Sequence, residues 1–249
     1  MSVVALASAK GAPGVTTAAV ALGAVWPRRA LVVEADPAGG DLAARFHLPS
    51  EPNLLSLGTA ARRGELAAAD VWAHVQQLPR GLEVLTGVRA AEQARALGRL
   101  WALLPGALGE LDADALVDCG RLAPGTVAEE LLRAADLVLL VCRPTVEGVL
   151  HLGYRLEALG RVGVAAEVIL VGERPFDRSR VQDALAANGV TARVRGVLAN
   201  DARAAGMLAG QAGRERWLER VSPLIRSARG LADDLAGSLP EPAGQEVGA

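Results

Sequence analysis

Short runs of almost unbroken apolar residues recur along the chain, and each is followed by a longer stretch rich in alanine and leucine. The runs fall near Val3–Ser8, Ala30–Glu34, Leu82–Thr86, Ala115–Cys119, Leu137–Cys142, Glu167–Val171 and Arg193–Leu198. They lack the polar alternation of a strand with one wet face, so they read as strands covered on both sides. Helices are predicted near Thr16–Val25, Ala90–Leu104, Thr126–Ala134, Val146–Leu159, Arg178–Asn188, Ala202–Ala209 and Pro223–Ala236. Strand and helix in alternation imply an α/β fold of three layers. Its sheet is mostly parallel and doubly wound, with about seven to eight strands.

The segment Pro49–Pro79 is less regular and suggests short helical pieces. With 249 residues the chain suits one sizeable domain, over 1–237. A tail over 238–249, holding two prolines and two glycines, is expected to be disordered. No internal repeat is visible. The hydrophobic fraction of 51% is inflated by alanine and reads as an ordinary core. No apolar run approaches the roughly 18 residues of a membrane span. Val3–Ala7 lacks a basic flank and runs straight into a glycine-rich loop, so it reads as a first strand and not a secretory signal. The chain is expected in the cytoplasm. Cys119 and Cys142 sit singly in apolar runs, and His47, His74 and His151 are scattered. Neither set has metal or disulfide spacing, and buried free thiols are expected. The net charge of −2 argues against a surface built wholly for nucleic acid.

After the first strand comes Ser8-Ala9-Lys10-Gly11-Ala12-Pro13-Gly14-Val15-Thr16-Thr17, then a helical run. Strand, small-residue loop and helix is the layout of an anion-binding loop. The backbone N–H groups from Gly14 to Thr17 would point at phosphates, and the helix N-terminus adds partial positive charge. Pro13 offers no N–H. Thr16 is placed to meet a magnesium ion through its hydroxyl. The pattern G-x-x-x-x-G-K-[ST] is departed from at Ala9 and at Val15, and a plain glycine turn is the alternative reading. Of 26 basic residues only Lys10 is lysine, a compact point charge among arginine forks.

Lys10 through Thr17 resembles the deviant Walker A loop of the MinD/ParA family, K-G-G-x-G-K-[ST]-T. The resemblance implies a P-loop NTPase fold, bound ATP with Mg2+, and a nucleotide-dependent homodimer. Lys10 matches the signature lysine that in relatives reaches the partner's nucleotide. Gly11, Ala12, Gly14, Val15, Thr16 and Thr17 would line the phosphates. Val15 stands where the family has a second lysine, which removes a cation from the β- and γ-phosphates.

Two acidic motifs follow in the family's order. Leu31-Val32-Val33-Glu34-Ala35-Asp36-Pro37 is similar to its D-x-D segment, with Glu34 in place of the first aspartate. Asp36 would then orient the attacking water or the magnesium shell. Asp41, in Gly40-Asp41-Leu42, resembles the G-D-L of the CpaE/TadZ branch. A turn or cap role is the alternative for both. Asp118 closes the apolar strand Ala115-Leu116-Val117-Asp118 as a Walker B aspartate does, holding magnesium directly or through water; a cap of the following turn is the alternative. Asp114, at the other end of that strand, reads as solvated. Asn200 and Asp201 follow a strand similar to the one flanking the nucleotide base, while Gly172-Glu173-Arg174 lacks the Asn with which relatives read adenine.

The resemblance spans residues 1 to 236 and implies an ATP-dependent spatial switch, an ATPase if active. The resemblance implies a pilus or secretion assembly, a chromosome or a division site as its cargo. The alternative is a nucleotide-binding scaffold with little or no hydrolysis, because of Val15. The arginines at 214, 216, 220, 226 and 229 raise non-specific DNA binding as a further expectation. The tail Leu239–Ala249 lacks the pattern of an amphipathic membrane tether.

Overall fold

The structure, a computed structural model, describes residues 1–61, 64–211 and 222–240. Eight strands form one sheet: β1 (Val3–Ser8), β2 (Ala30–Glu34), β3 (Gln76–Gln77), β4 (Glu83–Leu85), β5 (Asp114–Arg121), β6 (Leu137–Cys142), β7 (Glu167–Val171) and β8 (Val194–Leu198). Their order is β3-β4-β2-β5-β1-β6-β7-β8, and every pairing except β3 with β4 is parallel. Around them lie α1 (Val15–Gly23), α2 (Leu42–Arg45), α3 (Leu54–Ala60), α4 (Ala68–Trp72), α5 (Ala91–Ala96), α6 (Leu100–Gly109), α7 (Glu129–Ala134), α8 (Val146–Arg161), α9 (Arg178–Ala187), α10 (Ala202–Met207) and α11 (Pro223–Ser238). This is the doubly wound α/β architecture expected from the alternating runs.

The continuous apolar runs have a direct cause, because each strand feeds two cores. Val3, Ala5 and Ala7 pack on one sheet face, with residues of α3, α6, α7 and α9. Val4 and Leu6 pack on the other, with α1 and α11. Alternate residues therefore point to opposite faces, and both faces are dry.

Three local features differ from the sequence reading. β3 is two glutamines paired antiparallel at the sheet edge, too short and polar to carry a periodic signal. The helix expected over 90–104 is two helices, α5 and α6, with Gly98 between them in the left-handed region at φ 47°. Asp114, read as solvated, is fully buried. It accepts hydrogen bonds from the Ser2 backbone N–H at 3.0 Å, from Trp26 Nε1 at 2.8 Å and from Arg28 Nε at 2.8 Å. The register that pairs β5 with both β1 and β2 brings these donors under its carboxylate, and together they offset the cost of burying the charge.

α11 reaches Ser238, and Leu239 is buried against the same core; the rest of the expected tail, 241–249, lies outside the described residues. Among the described residues no helix is long and apolar enough to cross a membrane.

Candidate functional site

Parallel strands present their C-terminal ends at one edge of the sheet, and β1, β2 and β5 are neighbours there. Three residues from the motifs meet at this edge. Thr16 comes from the first turn of α1, Asp36 from the loop after β2, and Asp118 from β5, level with the last residue of β2.

The loop 9–14 leads from β1 into α1 through two left-handed glycines, Gly11 at φ 71° and Gly14 at φ 103°. Gly14 is the N-cap of α1 and brings no capping side chain, and the first turn holds no acid. The N–H groups opening α1 thus lack a side-chain acceptor, which leaves them available to an anion. Gly11 and Ala12 are exposed, while Thr16 and Thr17 are half-buried. Val15 is different: it is 7% exposed and belongs to the core beneath α1. Its contribution to a bound anion is limited to its backbone N–H.

Asp118 is fully buried. Its Oδ1 accepts from the Gly120 N–H at 2.9 Å, and its Oδ2 has no hydrogen-bond partner. Burial pushes its pKa up to about 7, and the nearby Asp36 and Glu34 charges push the same way. The Thr16 hydroxyl and the Gly120 N–H counter this shift without cancelling it. Gly120 stands in the left-handed region at φ 61°, and a Cβ there would collide with the Asp36 carboxylate. That glycine is what lets Asp36 lie over the end of β5. Asp36 is itself raised, by burial first and by the Asp41 charge, while the Ala38 N–H, 2.8 Å from Oδ1, works against the rise.

An orphaned buried carboxylate oxygen, a threonine hydroxyl and a half-buried second carboxylate form a hard-oxygen donor set. It suits Mg2+, whose charge would relieve the crowded carboxylates. Among the described residues no three His, Cys, Asp or Glu side chains converge on a metal position of their own. A Mg2+ ion here would take one or two protein ligands and leave the rest to phosphate and water.

Glu34, aligned with an aspartate in the sequence reading, has a framework role that the reading missed. It is buried, and its carboxylate accepts from the N–H groups of Asp41, Leu42 and Gly87 at 2.7, 2.9 and 2.8 Å. Burial raises its pKa and these three N–H groups oppose the rise. Gly40 and Gly87 make room for it, since a Cβ at either would strike Glu34. The glycines were the available signal. Asp41 starts α2 without capping it and pairs with Arg45 at 2.7 Å on the surface.

Lys10 is exposed, and its Nζ lies 2.8 Å from Nε2 of His151 on α8. It lines a cavity of about 350 Å3 with Gly11, Pro13, Cys142, Arg143 and Glu147. A larger cavity, about 650 Å3, lies at the other end of the sheet, against Val20, Phe46, Leu78, Met207 and Ile225. It is remote from the glycine loop and from the carboxylates. Both cysteines are buried and free, and burial pushes their thiols up, Cys142 to about 12, which makes them unreactive.

Asn200 is exposed at the end of β8, its Cβ 3.2 Å from where a Cβ on Gly172 would stand. The Asp201 carboxylate is already engaged. It caps α10 by accepting from the Ala204 N–H at 3.0 Å, and it accepts from the Ser222 hydroxyl at 2.9 Å. Asp201→Ala is expected to lower stability by about 1 kcal/mol, the worth of an N-cap, read from the urea midpoint. An unchanged midpoint would show that the cap is redundant.

No protein-family model and no curated protein matches the sequence. Solved structures do. MinD, the cell division ATPase of Pyrococcus furiosus, superimposes with a TM-score of 0.71 at 19% identity, over 95% of this chain and 98% of that one. A ParA family ATPase from Chlorobium tepidum gives 0.73 at 18% identity, over 94% and 98%. The septum site-determining protein MinD of Pyrococcus horikoshii, complexed with Mg-ADP, gives 0.69 at 19%, over 94% and 95%. The chain therefore has the P-loop NTPase fold that MinD and ParA ATPases share.

Proposed function

We propose that this chain is a MinD/ParA-like nucleotide-binding switch that takes ATP and Mg2+ at the glycine loop. The observation that carries the reading is the uncapped start of α1 beside the buried, half-satisfied carboxylate of Asp118. Nucleotide phosphates complete the first and a phosphate-bound Mg2+ completes the second. Gly11, Ala12, Gly14, Val15 and Thr17 line the phosphates with backbone groups, and Thr16 and Asp118 hold the ion. Asp36 positions water, and Asn200 borders the base. The Mg-ADP bound by the archaeal MinD of the same fold supports this assignment.

In this reading nucleotide closes a homodimer and hydrolysis reopens it, a two-state element biased by the γ-phosphate. α8 supports it by exposing Val146, Leu150 and Tyr154 at four-residue spacing on the helix that holds Lys10. An exposed apolar row marks a protein contact. The protein works in the cytoplasm on a pilus or secretion assembly, a chromosome or a division site. The DNA-binding expectation rests mainly on Arg214, Arg216 and Arg220, which lie outside the described residues.

Calorimetry with ATP, with and without Mg2+, and sedimentation in parallel test the proposal. ATP should bind more tightly with Mg2+ and drive dimerisation; absence of binding under both conditions refutes it. Lys10→Ala should weaken ATP at least about 5-fold, the scale of one charge-assisted hydrogen bond to an exposed group, and abolish the ATP-induced dimer. Unchanged affinity and dimerisation would remove Lys10 from the site.

A second reading, a nucleotide-binding scaffold with little turnover, is favoured by one observation: Val15 packs into the core and places no cation on the phosphates.

A further inference from the structure

Lys10 is the chain's one lysine, and a histidine that no motif singles out holds its ammonium. Nζ lies 2.8 Å from His151 Nε2. An ammonium only donates, so this contact requires Nε2 to accept, with the ring proton on Nδ1. Glu147, one turn earlier on α8, feels the Lys10 charge after its own helix-start hydrogen bonds. The Tyr154 ring meets the imidazole edge-on, with centroids 6.3 Å apart. Arg143 lines the same cavity, and Arg155 turns its guanidinium to the Leu122 carbonyl at 2.8 Å.

The helix that carries His151 is firmly set. Thr145 caps it by accepting from the Gly148 N–H at 3.1 Å. Gly148 lets its first turn close on the preceding strand end, where a Cβ would overlap the Arg143 carbonyl. A histidine on a firmly anchored helix therefore stands at the side of the glycine loop, opposite the loop's one lysine.

We propose that His151 is a positioning residue for Lys10: it parks the ammonium on α8 in the nucleotide-free chain and yields it to the triphosphate. The inference rests on the nucleotide reading above and adds the regulation of that site. Phosphate oxygens carry charge and form stronger hydrogen bonds to an ammonium than a neutral imidazole does, so the exchange runs toward nucleotide. It nevertheless subtracts the value of the parked hydrogen bond from ATP affinity. The chain thus keeps its sole lysine from wandering, at the expense of weaker binding.

The single lysine makes the test clean, because protein labelled with 13C at lysine Cε gives one lysine signal. At about pH 8, where an ordinary imidazole is neutral, His151→Leu should shift that signal in the nucleotide-free protein. His151→Gln, whose amide oxygen can accept, should return it toward its original position. ATP–Mg2+ should move the signal in the unsubstituted protein. By calorimetry His151→Leu should bind ATP about 2- to 10-fold more tightly, the worth of one ordinary hydrogen bond, with His151→Gln close to the original.

A lysine signal indifferent to His151→Leu overturns the proposal. So does an equal change of ATP affinity in both variants, which would mark a packing effect. Binding of ATP with an unmoved lysine signal sinks this inference alone. Failure of every form to bind ATP sinks the nucleotide reading and this inference with it.

Discussion

Asp118→Asn is expected to make the nucleotide-free protein more stable and to remove the magnesium dependence of nucleotide binding. An aspartate that merely capped a turn would behave in the opposite way, since its loss would destabilise. Asp118 is fully buried, and one carboxylate oxygen has no partner. Burial has raised its pKa from 3.8 to about 7. Folding therefore favours the protonated form, and ionising the group costs the folded state. Stability therefore falls as pH rises from about 4 through about 7 and stays reduced above that. The asparagine variant carries no such loss. At about pH 8 its gain should reach at least about 1 kcal/mol, or about 2–4 °C in melting temperature for a chain of this size. Below about pH 4 the two proteins should converge. Magnesium needs the ionised ligand, so in the unsubstituted protein the Mg2+ contribution to ATP affinity should fade as pH drops below about 7. In Asp118→Asn that contribution should fall at least about 100-fold, the loss of a charged ligand worth about 3 kcal/mol. Melting curves across pH, with calorimetry at saturating and zero Mg2+, measure both halves. A destabilised variant that still responds to Mg2+ would return Asp118 to a structural role.

The parts of this site that were legible in the sequence are those whose chemistry is local. The strand ends carrying Asp36 and Asp118, and the loop into Thr16, could be read because doubly buried strands leave continuous apolar runs. A parallel sheet then gathers their C-terminal ends at one edge. The glycines of the loop announce the backbone conformation that Gly11 and Gly14 adopt. What could not be read depends on distance along the chain. Asp114 looked solvated because nothing near it in sequence signals Trp26, 88 residues away, or Arg28, 86 residues away. His151 stands 141 residues from Lys10, and no spacing rule joins them. Glu34 looked like a plain substitute for the first aspartate of a motif, while its carboxylate in fact ties together three backbone N–H groups, of Asp41, Leu42 and Gly87. β3 escaped because two edge glutamines have no period. Val15 was legible as a missing cation, whereas its burial in the core is a matter of tertiary packing.

That burial frames the second large effect. Val15→Lys is expected to tighten ATP binding about 10- to 100-fold, the value of one charge-assisted hydrogen bond to phosphate of about 1.5–3 kcal/mol. The residue opens α1 one position before Thr16, so a lysine stem would leave the helix at the point where the anion is bound. Val15 is only 7% exposed, and replacing it sacrifices core packing worth about 1 kcal/mol for each buried methylene-sized loss. The long aliphatic stem recovers part of this by lying along the same apolar surface while its head turns to the polar edge. The variant should therefore melt somewhat lower without nucleotide and higher with it. An added cation at this edge should also lower the pKa of Asp118, moving the midpoint of its pH effect below about 7. Turnover separates the two functional readings. If the chain is a scaffold for want of this charge, hydrolysis should appear or rise sharply in Val15→Lys, because the added ammonium stabilises charge developing on the γ-phosphate. If Lys10 already supplies that charge, the gain should be small in the original background and large in Lys10→Ala, a coupling that the double variant measures. Affinity and turnover both unchanged in the two backgrounds would mean that no phosphate reaches the start of α1, and the nucleotide assignment would fall with it.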